Sequence, residues 1–152
     1  MGIRSVEDLH RAFDRILHNA SARQPEASVE AVQIQEQLHG HELLLGLKRD
    51  REFGHVIACG LGGIYTEVFK DISRSLVPID AEEADEMLSS LKIAPILKGA
   101  RGEAAIDWRG LVEIMERLSF LANALPDISE LDINPIIAAS NRCVAVDARI
   151  LW

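Results

Sequence analysis

Apolar and polar positions along this chain change period several times, and each change marks an element. After Ser5, Val6, Leu9, Phe13, Ile16 and Leu17 recur at helical spacing, and Asp8 stands where a capping-box partner would stand. A polar connection containing Pro25 follows. Val29 to Leu38 then alternates, with Val32 and Ile34 on one side and Gln33, Gln35 and Gln37 on the other, which predicts a strand. His39-Gly40 is read as the turn of a hairpin whose return strand runs from His41 to Arg49. There Leu43, Leu45 and Leu47 share one face, while Glu42, Leu44, Gly46 and Lys48 share the other. Gly54 to Gly60 reads as a buried strand, Tyr65 to Asp71 as another, and Leu76 to Ile79 as a short one, its Pro78 pointing to an edge or a strand end.

Helical periods return downstream. Asp80 and Glu83 form a capping box ahead of Ala84, Met87, Leu88 and Leu91. Asp107 is the expected cap of a third helix with an inner stripe of Leu111, Ile114, Met115, Leu118, Leu121 and Leu125. The chain then closes on a hairpin. With Ser140-Asn141 at the centre of its turn, Asn134 falls opposite Asp147 and Asp132 opposite Arg149. Leu131, Ile133, Val146, Ala148 and Ile150 collect on the other face. Strands interleaved with three helices argue an α+β or α/β domain.

That hairpin carries the first candidate chemistry. Directly opposed residues have Cβ atoms only ~5 Å apart, so the side-chain oxygens of Asn134 and Asp147 could share a hard cation such as Mg²⁺. Glu130, Asp132 and Asp147 crowd negative charge onto the same strip, an arrangement a cation or basic groups would relieve. A solvated polar face on an edge hairpin accounts for the same residues. Gly60-Leu61-Gly62-Gly63 is either a tight turn or a place where backbone N–H groups approach an anion, with no helix start behind it to make a P-loop. Lys98-Gly99-Ala100-Arg101-Gly102 is a basic loop between glycines, readable as a phosphate contact or a solvated turn. Gln35 and Glu42 could meet a nucleoside edge or simply face water.

Composition narrows the classes. The 152 residues fit one domain with enough apolar content for a core, at 48% hydrophobic and 26% charged. A net charge of −8 disfavours a generic nucleic-acid binder without excluding a phosphate ligand held by a few local cations. No apolar run reaches the length of a membrane span, and the start lacks a signal-peptide layout, so cytoplasm is the default expectation. Cys59 and Cys143 are isolated among apolar neighbours and read as reduced core residues. His39 and His41 flank the expected turn without zinc spacing.

Taken in order, several phrases resemble one family: Val32-Gln33-Ile34-Gln35, Gly40-His41-Glu42-Leu43, Asp50-Arg51-Glu52-Phe53-Gly54-His55-Val56, Gly60-Leu61-Gly62-Gly63, Lys98-Gly99-Ala100-Arg101-Gly102, Glu130-Leu131-Asp132-Ile133-Asn134-Pro135 and Val146-Asp147-Ala148-Arg149. The set is similar to the ATP-grasp domain of the NDP-forming acyl-CoA synthetases, the group containing ADP-forming acetate–CoA ligase and, more distantly, the succinyl-CoA synthetase β subunit. Gln37 stands where an apolar Met is usual, and His55 where a Pro is usual.

The resemblance implies an α+β ATP-grasp fold, mostly antiparallel, whose two lobes grip Mg·ATP. It places Gln35 with the backbone of Glu36, Gln37 and Leu38 at the adenine, Glu42 on the nucleotide, Gly62 and Gly63 facing the phosphoryl site, Asn134 and Asp147 on Mg²⁺, and Asp132 in the surrounding shell. It assigns no catalytic side chain to this chain. The implied reaction is reversible phosphoryl transfer between ATP and a histidine of a CoA-ligase or CoA-binding partner domain. The family's phosphate-binding lysine and flexible glycine loop would precede Ile3, so residues 1–50 are expected to be the back part of the first lobe and 51–152 the second. A non-catalytic interaction or regulatory module keeping the fold is the alternative expectation.

Overall fold

The computed structural model describes residues 2–63, 70–100, 102 and 104–152, and the chain divides into two compact units, Met1–Leu38 and His39–Trp152. The first unit is built on helix α1 (Val6–Arg23). Ser5 caps it: the Asp8 N–H donates to Ser5 Oγ at 3.0 Å. The reciprocal half of the expected box is displaced, because the Asp8 carboxylate accepts from the Arg4 N–H at 3.3 Å and not from that of Ser5. Of the apolar stripe, Val6, Phe13 and Ile16 are exposed. Residues 27–39 carry no regular structure, so the strand expected over 29–38, and its hairpin at His39-Gly40, do not form.

The reason lies in the second unit. Strand β1 (His41–Asp50) is central, paired antiparallel with β2 (Gly54–Leu61) on one edge and β4 (Glu130–Ala138) on the other. With both edges taken, β1 has no ladder to offer residues 29–38. β1 belongs to the compact unit His39–Trp152.

Among the described residues a six-stranded sheet runs β3–β2–β1–β4–β5, with β3 at Ile72–Leu76, β5 at Cys143–Ala145 and β6 (Ala148–Leu151) also paired to β4. All its described strand pairs are antiparallel. Most of the expected strand 65–71 lies outside the described residues; Lys70 and Asp71 are not in a strand, and β3 begins after them. The strand expected over 76–79 instead ends at Leu76, ahead of a cis Val77–Pro78 bond.

Four helices are described, one more than expected. Asp80 caps α2 (Ala81–Ser89) with both halves of the capping box present. The single turn α3 (Ala94–Leu97), with proline in its first turn, had no periodicity to announce it. Asp107 caps α4 (Trp108–Ala124). Leu43, Leu45 and Leu47 of β1 and Ile57 and Cys59 of β2 form one core with Ala84, Met87 and Leu88 of α2 and Leu111, Met115 and Leu118 of α4. A Leu→Ala change in such a core costs ~2–5 kcal/mol. The helices cover this face of β1, leaving Glu42 and Lys48 on the other.

Candidate functional site

The terminal hairpin has the register its turn implied. Asp132 pairs with Arg149, Leu131 with Ile150 and Ala138 with Cys143. Its returning arm is broken into β5 and β6, and the break faces Asn134–Pro135, a cis bond where β4 also slips register against β1. Proline has no N–H to donate to a ladder. Across the break, the Asn134 N–H donates to the Asp147 carbonyl at 3.2 Å and the Val146 N–H to the Pro135 carbonyl at 3.0 Å. Asn134 and Asp147 therefore stand opposite each other at an interruption in the sheet. The apolar face expected beside them is covered only in part: Leu131 is buried, while Val146, Ala148 and Ile150 on the outer arm are exposed.

The glycine turn reaches the same place. Gly63, at φ +64°, donates its N–H to Asn134 Oδ1 at 3.2 Å. Gly62 donates to the Glu42 carbonyl at 2.8 Å, and a Cβ on it would sit 2.7 Å from the Leu43 carbonyl carbon. A Cβ on Gly63 would run into the Glu42 carboxylate. The residue type thus follows from close backbone approach at Gly62 and from a left-handed backbone at Gly63. Glu42, Gly62, Gly63, Asn134 and Asp147 are brought together from distant parts of the chain. Asp132 lies on the same strand, exposed, opposite Gly46 on one side and Arg149 on the other. Gln35, Glu36, Gln37 and Leu38 belong to the other compact unit, in its irregular segment, with the first three exposed.

The donor set suits a hard cation with few protein ligands. Among the described residues no three His, Cys, Asp or Glu side chains gather as a metal site. An amide oxygen and a carboxylate remain, on residues that face each other across the break between β5 and β6, and Mg²⁺ commonly takes one or two protein oxygens and fills its octahedron with phosphate oxygens and water. Asn134 Oδ1 has two lone pairs, so accepting from Gly63 leaves one for a cation.

Beside Glu42 opens a cavity of about 550 Å³ lined by Gly40, His41, Glu42, Leu61, Asp71 and Lys92, with Ile93 and Ile96 supplying apolar wall. Asp71 was not anticipated. It is a buried carboxylate whose two oxygens accept from the N–H groups of Lys92 and Ile93, both at 2.9 Å. No spacing signals such a bond. His55, also buried, places Nε2 2.7 Å from the Ile128 carbonyl. The basic loop is engaged at its start: Lys98 Nζ lies 4.3 Å from the Trp108 ring centroid and donates to Ser89 Oγ at 2.9 Å. Arg101 lies outside the described residues. Cys59 and Cys143 are free thiols, both pushed up by burial, Cys59 to about 12 and Cys143 to about 11. No described helix is long and apolar enough to cross a membrane.

A family model for the ATP-grasp domain matches residues 1–151, and the chain belongs to that family. The β subunit of acetate–CoA ligase [ADP-forming] I from Pyrococcus furiosus is 41% identical over 152 residues, covering 99% of this chain and 66% of the subunit. Acetate–CoA ligase [ADP-forming] I from Archaeoglobus fulgidus is 39% identical over 145 residues, but these make up only 21% of that longer protein. Among solved structures, the dinucleotide-forming acetyl-coenzyme A synthetase 1 of Ca. Korarchaeum cryptofilum aligns over 100% of this chain and 66% of its own, at 30% identity and a TM-score of 0.80. That structure holds coenzyme A and Mg-AMPPCP, with its phosphohistidine segment pointing towards the nucleotide binding site. This chain spans somewhat less than two thirds of the β subunit it matches.

Proposed function

We propose that this chain is the nucleotide-binding portion of an NDP-forming acyl-CoA synthetase. The overall reaction converts acyl-CoA, ADP and phosphate into a carboxylic acid, ATP and CoA. The observation that carries the reading is the bond from Gly63 to Asn134, which holds a glycine turn against the amide–carboxylate pair of Asn134 and Asp147. Phosphoryl transfer asks a protein mainly for positioning and charge neutralisation, and these residues offer both. Asn134 and Asp147 hold Mg²⁺, and Asp132 supports the shell around it. When bound, the metal neutralises charge on the phosphates.

Gly62 and Gly63 let the backbone face the phosphoryl group closely, and Glu42 meets the nucleotide beside them. The family resemblance alone assigns Gln35 and the backbone of Glu36, Gln37 and Leu38 to the adenine. The phosphoryl group passes between the nucleotide and a histidine on a CoA-binding partner domain or subunit. The named Korarchaeum structure, with Mg-AMPPCP and a phosphohistidine segment, supports that division of labour.

Calorimetry tests the reading. Wild-type protein should give Mg²⁺-dependent heat with ATP that disappears in chelator, and a variant carrying Asn134→Ala with Asp147→Ala should bind at least ~10-fold more weakly. No heat from wild type, or equal affinities for the two proteins, would sink it.

A further inference from the structure

Three successive amides tie down the glycine turn. Leu61 donates to the Asp71 carbonyl at 3.1 Å, Gly62 to the Glu42 carbonyl at 2.8 Å, and Gly63 to Asn134 Oδ1 at 3.2 Å. Two of these acceptors, Glu42 and Asn134, sit on strands β1 and β4. Asp71 lies outside any strand, just before β3. It continues the β2–β3 ladder one step past the Gly60–Ile72 pair, and its own side chain, 7% exposed for the whole residue, adds a second hold, with one oxygen on the Lys92 N–H and the other on that of Ile93.

A carboxylate buried this far is costly unless donors replace water, and a packing role alone is served better by an apolar residue. Gly60 fits the same design: a Cβ there would collide with the Asp71 carbonyl oxygen, so the glycine lets that carbonyl come close. Asp71, Lys92, Ile93 and Leu61 also share the wall of the cavity beside Glu42.

We propose that Asp71 is a positioning residue for the nucleotide site. Clamped onto the amides of Lys92 and Ile93, it holds Leu61 and therefore the turn that presses Gly63 onto Asn134. This rests on the nucleotide reading above. It extends that reading to a residue that touches neither metal nor phosphate.

Asp71→Asn tests it, because the new NH₂ group must confront one of the two N–H donors. A second variant, Asp71→Ala, removes both acceptors and leaves the two N–H groups without them, while keeping the Asp71 backbone carbonyl. Full-chain protein is labelled with ¹⁵N, and Gly63 amide exchange is measured without nucleotide, beside calorimetric Mg·ATP affinity. Readings are taken at a temperature where circular dichroism shows each variant folded. The expected result is exchange at Gly63 at least ~10-fold faster and affinity ~5–10-fold weaker in both variants. His55→Ala, a destabilised control away from the turn, should change neither. Unchanged Gly63 exchange and affinity in Asp71→Asn, or equal changes in His55→Ala, overturn the positioning role while leaving the nucleotide reading intact. A wild type that binds no Mg·ATP overturns both together.

Discussion

Gly63 and Asn134, 71 positions apart in sequence, are joined by a hydrogen bond of 3.2 Å from backbone N–H to side-chain oxygen. The bond links the turn after β2 to the point where β4 slips register against β1, and it is made from a left-handed backbone that glycine adopts freely.

Gly63→Ala should be costly chiefly through its backbone, because the new Cβ sits at φ +64°, while the Glu42 carboxylate it meets is the far end of an exposed, flexible side chain that can turn aside. The loss should be roughly 1–2 kcal/mol. Combining it with Glu42→Ala should return little of that stability. Thermal unfolding of the single and double variants measures this; full recovery of Tm on adding Glu42→Ala would place the cost in the contact instead.

His55→Ala should destabilise without touching the site. The Ile128 carbonyl can only accept, so Nε2 carries the proton and donates across 2.7 Å. Removing the ring leaves that carbonyl without this donor and opens space in a buried position, a loss of about 1–3 kcal/mol. Denaturant titration should show a lower midpoint with an unchanged slope.

Lys98→Gln separates the two readings of the basic loop. With its ammonium over Trp108 and on Ser89 Oγ, and with Trp108 Nε1 donating to Asp85 Oδ1 at 2.6 Å, Lys98 braces α2 against α4. The variant should lose about 0.5–1 kcal/mol, as expected for an exposed cation–π contact, and keep Mg·ATP affinity within about twofold. A tenfold loss of affinity would return Lys98 to the phosphate role.

How legible all this was varied with the range of the interaction that decides each element. The caps at Ser5, Asp80 and Asp107 are local, and their residue types announced them. The register of the last hairpin was legible because one short loop, Ser140-Asn141, sets it for both arms. Residues 29–38 alternate like a strand, yet alternation supplies no pairing partner, and the hairpin expected with β1 has no place because β2 and β4 occupy both edges of β1. In the site, pairing Asn134 with Asp147 needed only strand period. The approach of Gly63 depended on the whole sheet and had no signal in spacing; ordered motifs shared with a family supplied it. Asp71 stayed invisible because its partners are backbone amides, which every residue but proline carries.

Alkaline titration gives a last test, of the core. Burial holds the Cys59 thiol near 12 and the Cys143 thiol near 11, against an ordinary value of 9.0. A thiol raised in the folded state keeps its proton while the unfolded chain loses it, so the stability it contributes is intact below pH 9 and declines as pH rises towards 11 to 12. Cys59→Ala and Cys143→Ala should each flatten that decline, Cys59→Ala more so, because the larger shift is removed. The same shifts slow chemistry at pH 8, since the thiolate is the nucleophile. Cys143 should react with a disulfide reagent about 10-fold more slowly than the urea-unfolded chain, because the smaller thiolate fraction is partly offset by the greater nucleophilicity of a higher-pKa thiolate, and Cys59, which is also fully covered, more slowly still. Rapid labelling of both thiols in folded protein would mean that this core opens far more readily than its packing implies.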